Sequence, residues 1–187
     1  MMGDPGTKEQ LLSLEDLEAV SGLRTGRKHV LSILVENKPG VLTRVAGLFA
    51  RRGFNIETLT VGPTDDDQIS RITLTVDGAL HPIDQVTKQL HKLINVLKIR
   101  DLEPNETVTR ELAMFKVAAE GPQRGEVMQF CEIFRGHVVD VTKRSVTIEI
   151  TGPTSKIEAF ERMVRPYGLI EMMRTGEIAM SRGRGET

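Results

Sequence analysis

The chain has 187 residues, 39% of them hydrophobic and 27% charged, close to soluble globular averages and enough for one medium domain or two small ones. With 25 basic and 26 acidic residues the formal charge is -1, so neither nucleic acid nor an anionic membrane is expected as the main partner. A lone cysteine, Cys131, excludes an intrachain disulfide framework, and no signal-like segment or apolar run of about 18 residues occurs, so a soluble cytoplasmic protein is expected.

Residues 1–28 are polar and punctuated by Gly3, Gly6, Gly22 and Gly26, which reads as a flexible leader with one weak helix over 11–20. From residue 29 the hydrophobic period alternates between 2 and 3.6 in the order strand, helix, strand, strand, helix, strand. The first strand, 29–36, sets Leu31, Ile33 and Val35 on one face and Val30, Ser32 and Leu34 on the other. A helix follows with Val41, Leu42, Val45, Leu48 and Phe49 on one stripe, and Gly53 caps its end. Strands at 55–61 and 68–76 flank a turn at 62–67. Pro82 opens a second helix whose stripe is Ile83, Val86, Leu90, Leu93 and Ile94, and a strand at 96–102 leads into a linker over 101–106.

The same order then recurs with unrelated residues: a strand at 110–118, a helix at 122–134, strands at 137–143 and 145–151, a helix, and a strand at 169–174. Ser155 and Glu158 have capping-box spacing ahead of Ile157, Phe160 and Val164 in that last helix. The expected fold class is therefore α+β: two tandem ferredoxin-like βαββαβ units, 29–103 and 109–178, each an antiparallel sheet with helices on one face, and a flexible tail over 179–187. The helix-free face of the first sheet, with Ser32, Arg71, Thr73 and Thr75, is expected to be open. Strand 55–61 should lie at a sheet edge, where pairing with its twin across a two-fold axis would make a homodimer.

The segment most suggestive of chemistry is Asn37-Lys38-Pro39-Gly40 at the start of the first helix. The first helical amides have no intrahelical acceptor and can receive a carboxylate, while Asn37 and Asn55 each offer an acceptor and a donor for an amino acid's charged groups. Asparagine is also a common turn and cap residue, so Asn37 has a plain structural reading as well. Arg44, Arg51 and Arg52 read as a solvated helix face, and Asp65-Asp66-Asp67 as a solvated hairpin. Cys131 and His137 lie six apart and His81 and His91 ten apart, without tight metal-ligand spacing, and no P-loop, dinucleotide fingerprint or nucleophile-base pattern occurs. Neither a metal nor catalysis by this chain alone is expected.

The N-terminal unit resembles an ACT domain, a regulatory module of amino-acid biosynthetic enzymes. The run Leu34-Val35-Glu36-Asn37-Lys38-Pro39-Gly40-Val41-Leu42, then Gly47-Leu48-Phe49 and Arg52-Gly53-Phe54-Asn55-Ile56, is similar to the small regulatory subunits of acetolactate synthase. Gln89-Leu90-His91-Lys92-Leu93, Arg110-Glu111-Leu112, Glu132-Ile133-Phe134-Arg135-Gly136 and Asp140-Val141-Thr142 extend the likeness over about residues 28–183. The resemblance implies a non-catalytic subunit that dimerises through its ACT domains, activates a separate large subunit carrying thiamine diphosphate, magnesium and FAD, and confers feedback inhibition by valine. It also implies a valine site at Asn37, Gly40, Val41, Leu42, Asn55, Ile56, Thr60 and Val61. An ACT module serving another partner is the alternative. An RNA-binding module of the same topology is disfavoured, because strands 29–36 and 68–76 carry no aromatic residue on which bases could stack. A transcriptional regulator is disfavoured too, since the leader is too short for a DNA-reading domain.

Overall fold

The computed structural model describes residues 28–77, 83–183 and 187. Strands β1 (Lys28–Glu36), β2 (Ile56–Pro63), β3 (Ile69–Asp77) and β4 (Val96–Leu102) form an antiparallel sheet in the order β2-β3-β1-β4. Helices α1 (Val41–Arg51) and α2 (Ile83–Leu90) cover one face of it. The inward set Leu31, Ile33, Val35, Ile72, Leu74 and Val76 is buried against Val45, Phe49, Val86 and Leu90. β2 is an edge strand, as its place in the topology requires, and β4, with Lys98, Arg100 and Asp101, is the other edge.

α1 stops as Gly53 implies. Gly53 has φ 73°, its amide donates to the Ala50 carbonyl at 3.2 Å, and the Phe54 amide donates to Phe49 at 3.1 Å. These are the paired bonds of a Schellman turn, and Phe49 and Phe54 supply its apolar contact edge to face at 6.1 Å. α2 is shorter than its periodicity suggests. After Leu90 the chain tightens, with Lys92 donating to Gln89 and Leu93 to Leu90, so Leu93 only flanks the core and Ile94 is 90% exposed. Pro82, the expected start of this helix, lies outside the described residues.

The second unit repeats the order β6-β7-β5-β8, with β5 (Thr107–Ala118), β6 (His137–Val141), β7 (Ser145–Gly152) and β8 (Leu169–Arg174). Helices α3 (Pro122–Ile133) and α4 (Thr154–Val164) pack on one face around Phe160, which meets Phe115 at 5.0 Å and Phe134 at 5.4 Å. The capping box does not form. The α4 N-cap is Pro153, whose carbonyl accepts from Lys156 and Ile157, and Ser155 lies inside the helix. Cys131 is a core residue, its thiol pushed above its usual pKa by burial and then by Glu132.

α3 ends on Arg135 in the left-handed region, φ 51°, followed by Gly136, whose amide reaches the Cys131 carbonyl at 2.7 Å. A side chain at Gly136 would meet the Ile150 methyl and come within 3.0 Å of the Glu149 carbonyl. Gly136→Ala should therefore cost about 1–3 kcal/mol through overpacking, read as a lower Tm. Gly125→Ala, in the middle of the same helix with nothing within 4 Å, should instead stabilise by about 0.5–1 kcal/mol.

Two further expectations change. Part of the expected tail is a strand: β9 (Ile178–Ser181) pairs with Thr107–Arg110, because β5 begins before its partners in the main sheet and leaves its first four residues for β9 to pair. The helix-free face of the first sheet is not open. Ser32, Thr73 and Thr75 are all buried, with Arg71 Nη1 donating to Ser32 Oγ at 3.2 Å and Thr58 Oγ1 to Thr75 Oγ1 at 3.0 Å. Among the described residues no helix is long and apolar enough to cross a membrane.

Candidate functional site

The loop from β1 to α1 is held from three sides. The Asn37 amide donates to the Gln68 carbonyl at 2.7 Å and its Nδ2 to the Asp67 carbonyl at 2.9 Å, tying the loop to the β2–β3 hairpin. Asn37 is thus not the helix cap. Gly40 takes that position with φ 80°, a conformation natural to glycine, and its carbonyl receives the Arg44 amide at 3.1 Å. The Val41 amide makes a long bond to Lys38 at 3.4 Å, whereas Leu42 and Thr43 occupy the first turn, where amides lack intrahelical acceptors. The Val41 side chain is buried in the core and Leu42 is 41% exposed.

Beneath the loop lies a network absent from the sequence reading. Arg44 Nη1 donates to Asn95 Oδ1 at 2.7 Å, Asn95 Nδ2 donates to the Glu36 carboxylate, and Lys38 pairs with the same carboxylate at 3.1 Å. The Asn95 bond first, and Lys38 second, hold the Glu36 carboxyl below its ordinary pKa. Arg44 is exposed, as expected of a solvated helix face, and its guanidinium also forms a strut from α1 to the turn before β4. No periodic signal marks Asn95, because its role depends on a long-range contact.

Register separates the remaining site residues. Glu36 pairs with Ile69 at one end of β3, while Ile56 pairs with Val76 at the other. Asn37 and Asn55 therefore sit at opposite ends of the sheet, roughly 25 Å apart at about 3.3 Å per residue. Ile56 packs against the core, and Val61, opposite Ile72, lies on the helix side of β2. Thr60, opposite Thr73, faces the other way, and its hydroxyl donates to the Thr175 carbonyl at 3.1 Å. One chain thus brings Asn37, Gly40, Val41 and Leu42 together and leaves Asn55 and Ile56 remote. Leu42, Leu59 and Val61 are exposed apolar residues of α1 and the β2 edge. Among the described residues no cluster of His, Cys, Asp or Glu is arranged to hold a metal ion.

Tandem βαββαβ units with a glycine-capped helix start beside an exposed edge strand define an α+β protein of two ferredoxin-like modules. Residues 31–98 match the AHAS small subunit-like ACT domain, and 110–183 match the C-terminal domain model described as small subunit of acetolactate synthase. The chain is 53% identical over 156 residues to a probable acetolactate synthase small subunit of Methanothermobacter thermautotrophicus, spanning 83% of this chain and 93% of that one. It is 50% identical over 155 residues to the acetolactate synthase small subunit of Mycobacterium leprae, covering 83% and 92%. The crystal structure of the Thermotoga maritima acetolactate synthase small subunit superposes with a TM-score of 0.78 at 43% identity, over 85% of this chain and 99% of that one. The chain belongs to the acetolactate synthase small-subunit family.

Proposed function

We propose that this chain is the non-catalytic regulatory subunit of an acetolactate synthase. It raises the activity of a large subunit that carries thiamine diphosphate, magnesium and FAD, and it binds valine between two copies of itself to lower that activity. The observation that carries this reading is the register of β2. β2 is an edge strand with a free side; in the proposed dimer a two-fold axis through its middle, between Leu59 and Thr60, would set Ile56 of one copy opposite Pro63 of the other. Asn55 of one copy then approaches the Asn37–Leu42 loop of its twin, and two half-sites become two whole ones.

Each group has a role suited to valine. The orphan amides at the start of α1 receive the carboxylate. Asn37 Nδ2 is committed to the hairpin, which leaves its Oδ1 for the ammonium, and Asn55 supplies the second carboxamide. Leu42, Val61 and Ile56 enclose the branched side chain. Valine inhibits by binding one arrangement of the pair better than another, with a coupling of about 1–3 kcal/mol for typical allostery.

The test is reconstitution. Mixed with a purified large subunit, the chain should raise acetolactate formation, and valine should reduce that gain while binding the small subunit alone in calorimetry. No activation, or no heat of valine binding to the dimer, would refute the reading.

A further inference from the structure

The two units barely touch. Among the described residues no strand or helix of one is packed broadly on an element of the other, and a cleft of about 560 Å³ opens between them, with Thr58 and Thr75 on one wall and Glu158 and Arg174 on the other. The cleft is bridged at the connector from β8 to β9. There Gly176, with φ 83°, lies so close to β2 that a Cβ would stand 3.0 Å from Thr58 Cβ and 3.1 Å from Thr60 Oγ1, while Thr60 donates to the Thr175 carbonyl. Only a residue without a side chain seats there.

From this seat we infer that Gly176 and Thr175, docked on Thr58 and Thr60, form the coupling contact through which effector binding at the β2 edge reaches the C-terminal unit. The inference rests on the valine reading above. β2 has two working sides: Val61 faces the effector side, and Thr58 and Thr60 face the connector. A shift of the edge strand on valine binding must therefore move the seat.

The receiving side is stiff. Arg174, one residue before the seat, is clamped by buried Glu111 through bonds of 2.6 and 2.7 Å. The Thr175 amide donates to the Leu112 carbonyl at 3.0 Å, and Thr154 Oγ1 donates to Glu177 at 2.8 Å on the far side. Held at both ends to β5 and α4, the connector cannot absorb a displacement locally and passes it to its whole unit, while the cleft gives that unit room to pivot.

Gly176→Ala tests the contact, because the added methyl enters the seat and the alanine strains at positive φ. In the reconstituted enzyme this variant should bind valine within about twofold of the parent in calorimetry, yet at saturating valine its fold-inhibition should fall about tenfold or more, or to none, a size usual for allosteric coupling. Hydrogen exchange on the unmodified chain with its large subunit supplies an independent reading: valine should change protection in β2 and at residues 175–177 together. Inhibition of Gly176→Ala to the parental extent at saturating valine, or a response in β2 with none at 175–177, overturns the coupling and leaves the valine site standing. No response in either segment, with no heat of binding, overturns the valine site and the coupling with it.

Discussion

Asn37→Ala and Asn55→Ala are each expected to abolish most of the response to valine, and a mixture of the two variants to recover part of it. Each substitution removes a hydrogen bond to a charged group of the ligand, worth about 1.5–3 kcal/mol, so valine binding should weaken about ten- to a hundredfold. Recovery follows from register. Since β2 runs from the Val76 end of β3 to its Ser70 end, one chain's two asparagines cannot meet on one ligand. In a mixed dimer, the Asn55→Ala copy keeps Asn37 and the Asn37→Ala copy keeps Asn55, so one site is intact and the other doubly disabled. Calorimetry of the mixture after subunit exchange should show a fraction of sites with the parental affinity. Absence of that fraction in verified mixed dimers would mean that both asparagines act within one chain, contrary to the sheet geometry.

Arg174→Met should have the largest effect on stability. Glu111 is almost fully buried, its side chain 1% exposed, and its carboxylate is held by two guanidinium bonds and by Thr154 Oγ1 at 3.3 Å. Methionine would leave that carboxylate in the interior without its cation, a loss of about 3 kcal/mol, at the low end for a buried pair because Arg174 is 27% exposed. Replacing both residues together, Glu111→Leu with Arg174→Met, should return most of the loss, since no charge is then stranded. Denaturant titration checks both. A cost below about 1 kcal/mol for Arg174→Met would place the pair with ordinary surface salt bridges.

Both units were legible in the sequence because period 2 and period 3.6 alternate cleanly where each face is either buried or wet. Leu31, Ile33 and Val35 announce β1, and Gly53 announces the end of α1, since each signal is local. The misses come from contacts distant in sequence. Leu93 and Ile94 continue the spacing of α2, but the return to β4 ends the helix first. Ser155 and Glu158 have the spacing of a capping box, but Pro153 takes the N-cap position two residues too early for it. Ser32, Thr73 and Thr75 look like a wet face by residue type, yet cross-strand partners and Arg71 bury them. β9 is four residues long between glycines, too short to register as periodic without its partner in β5. The loop and edge of the candidate site were readable. Their separation within one chain required the strand register, whereas the turning of Thr60 away from Val61 follows from the two-residue period of any strand.

The two edges of the first sheet differ in what they offer a newcomer. β4 bristles with Lys98, Arg100 and Asp101, whereas β2 carries one charge, Glu57, which is paired with Lys28, beside threonines, Leu59 and Val61, and ends at Pro63, which has no N–H to give. Growth by strand addition can therefore begin at one rim and finds no second rim to continue from. Under the pairing proposed above, an assembly nucleated there would close at two copies and would not lengthen into a fibre, so the chain would keep an adhesive border without the hazard of polymerising.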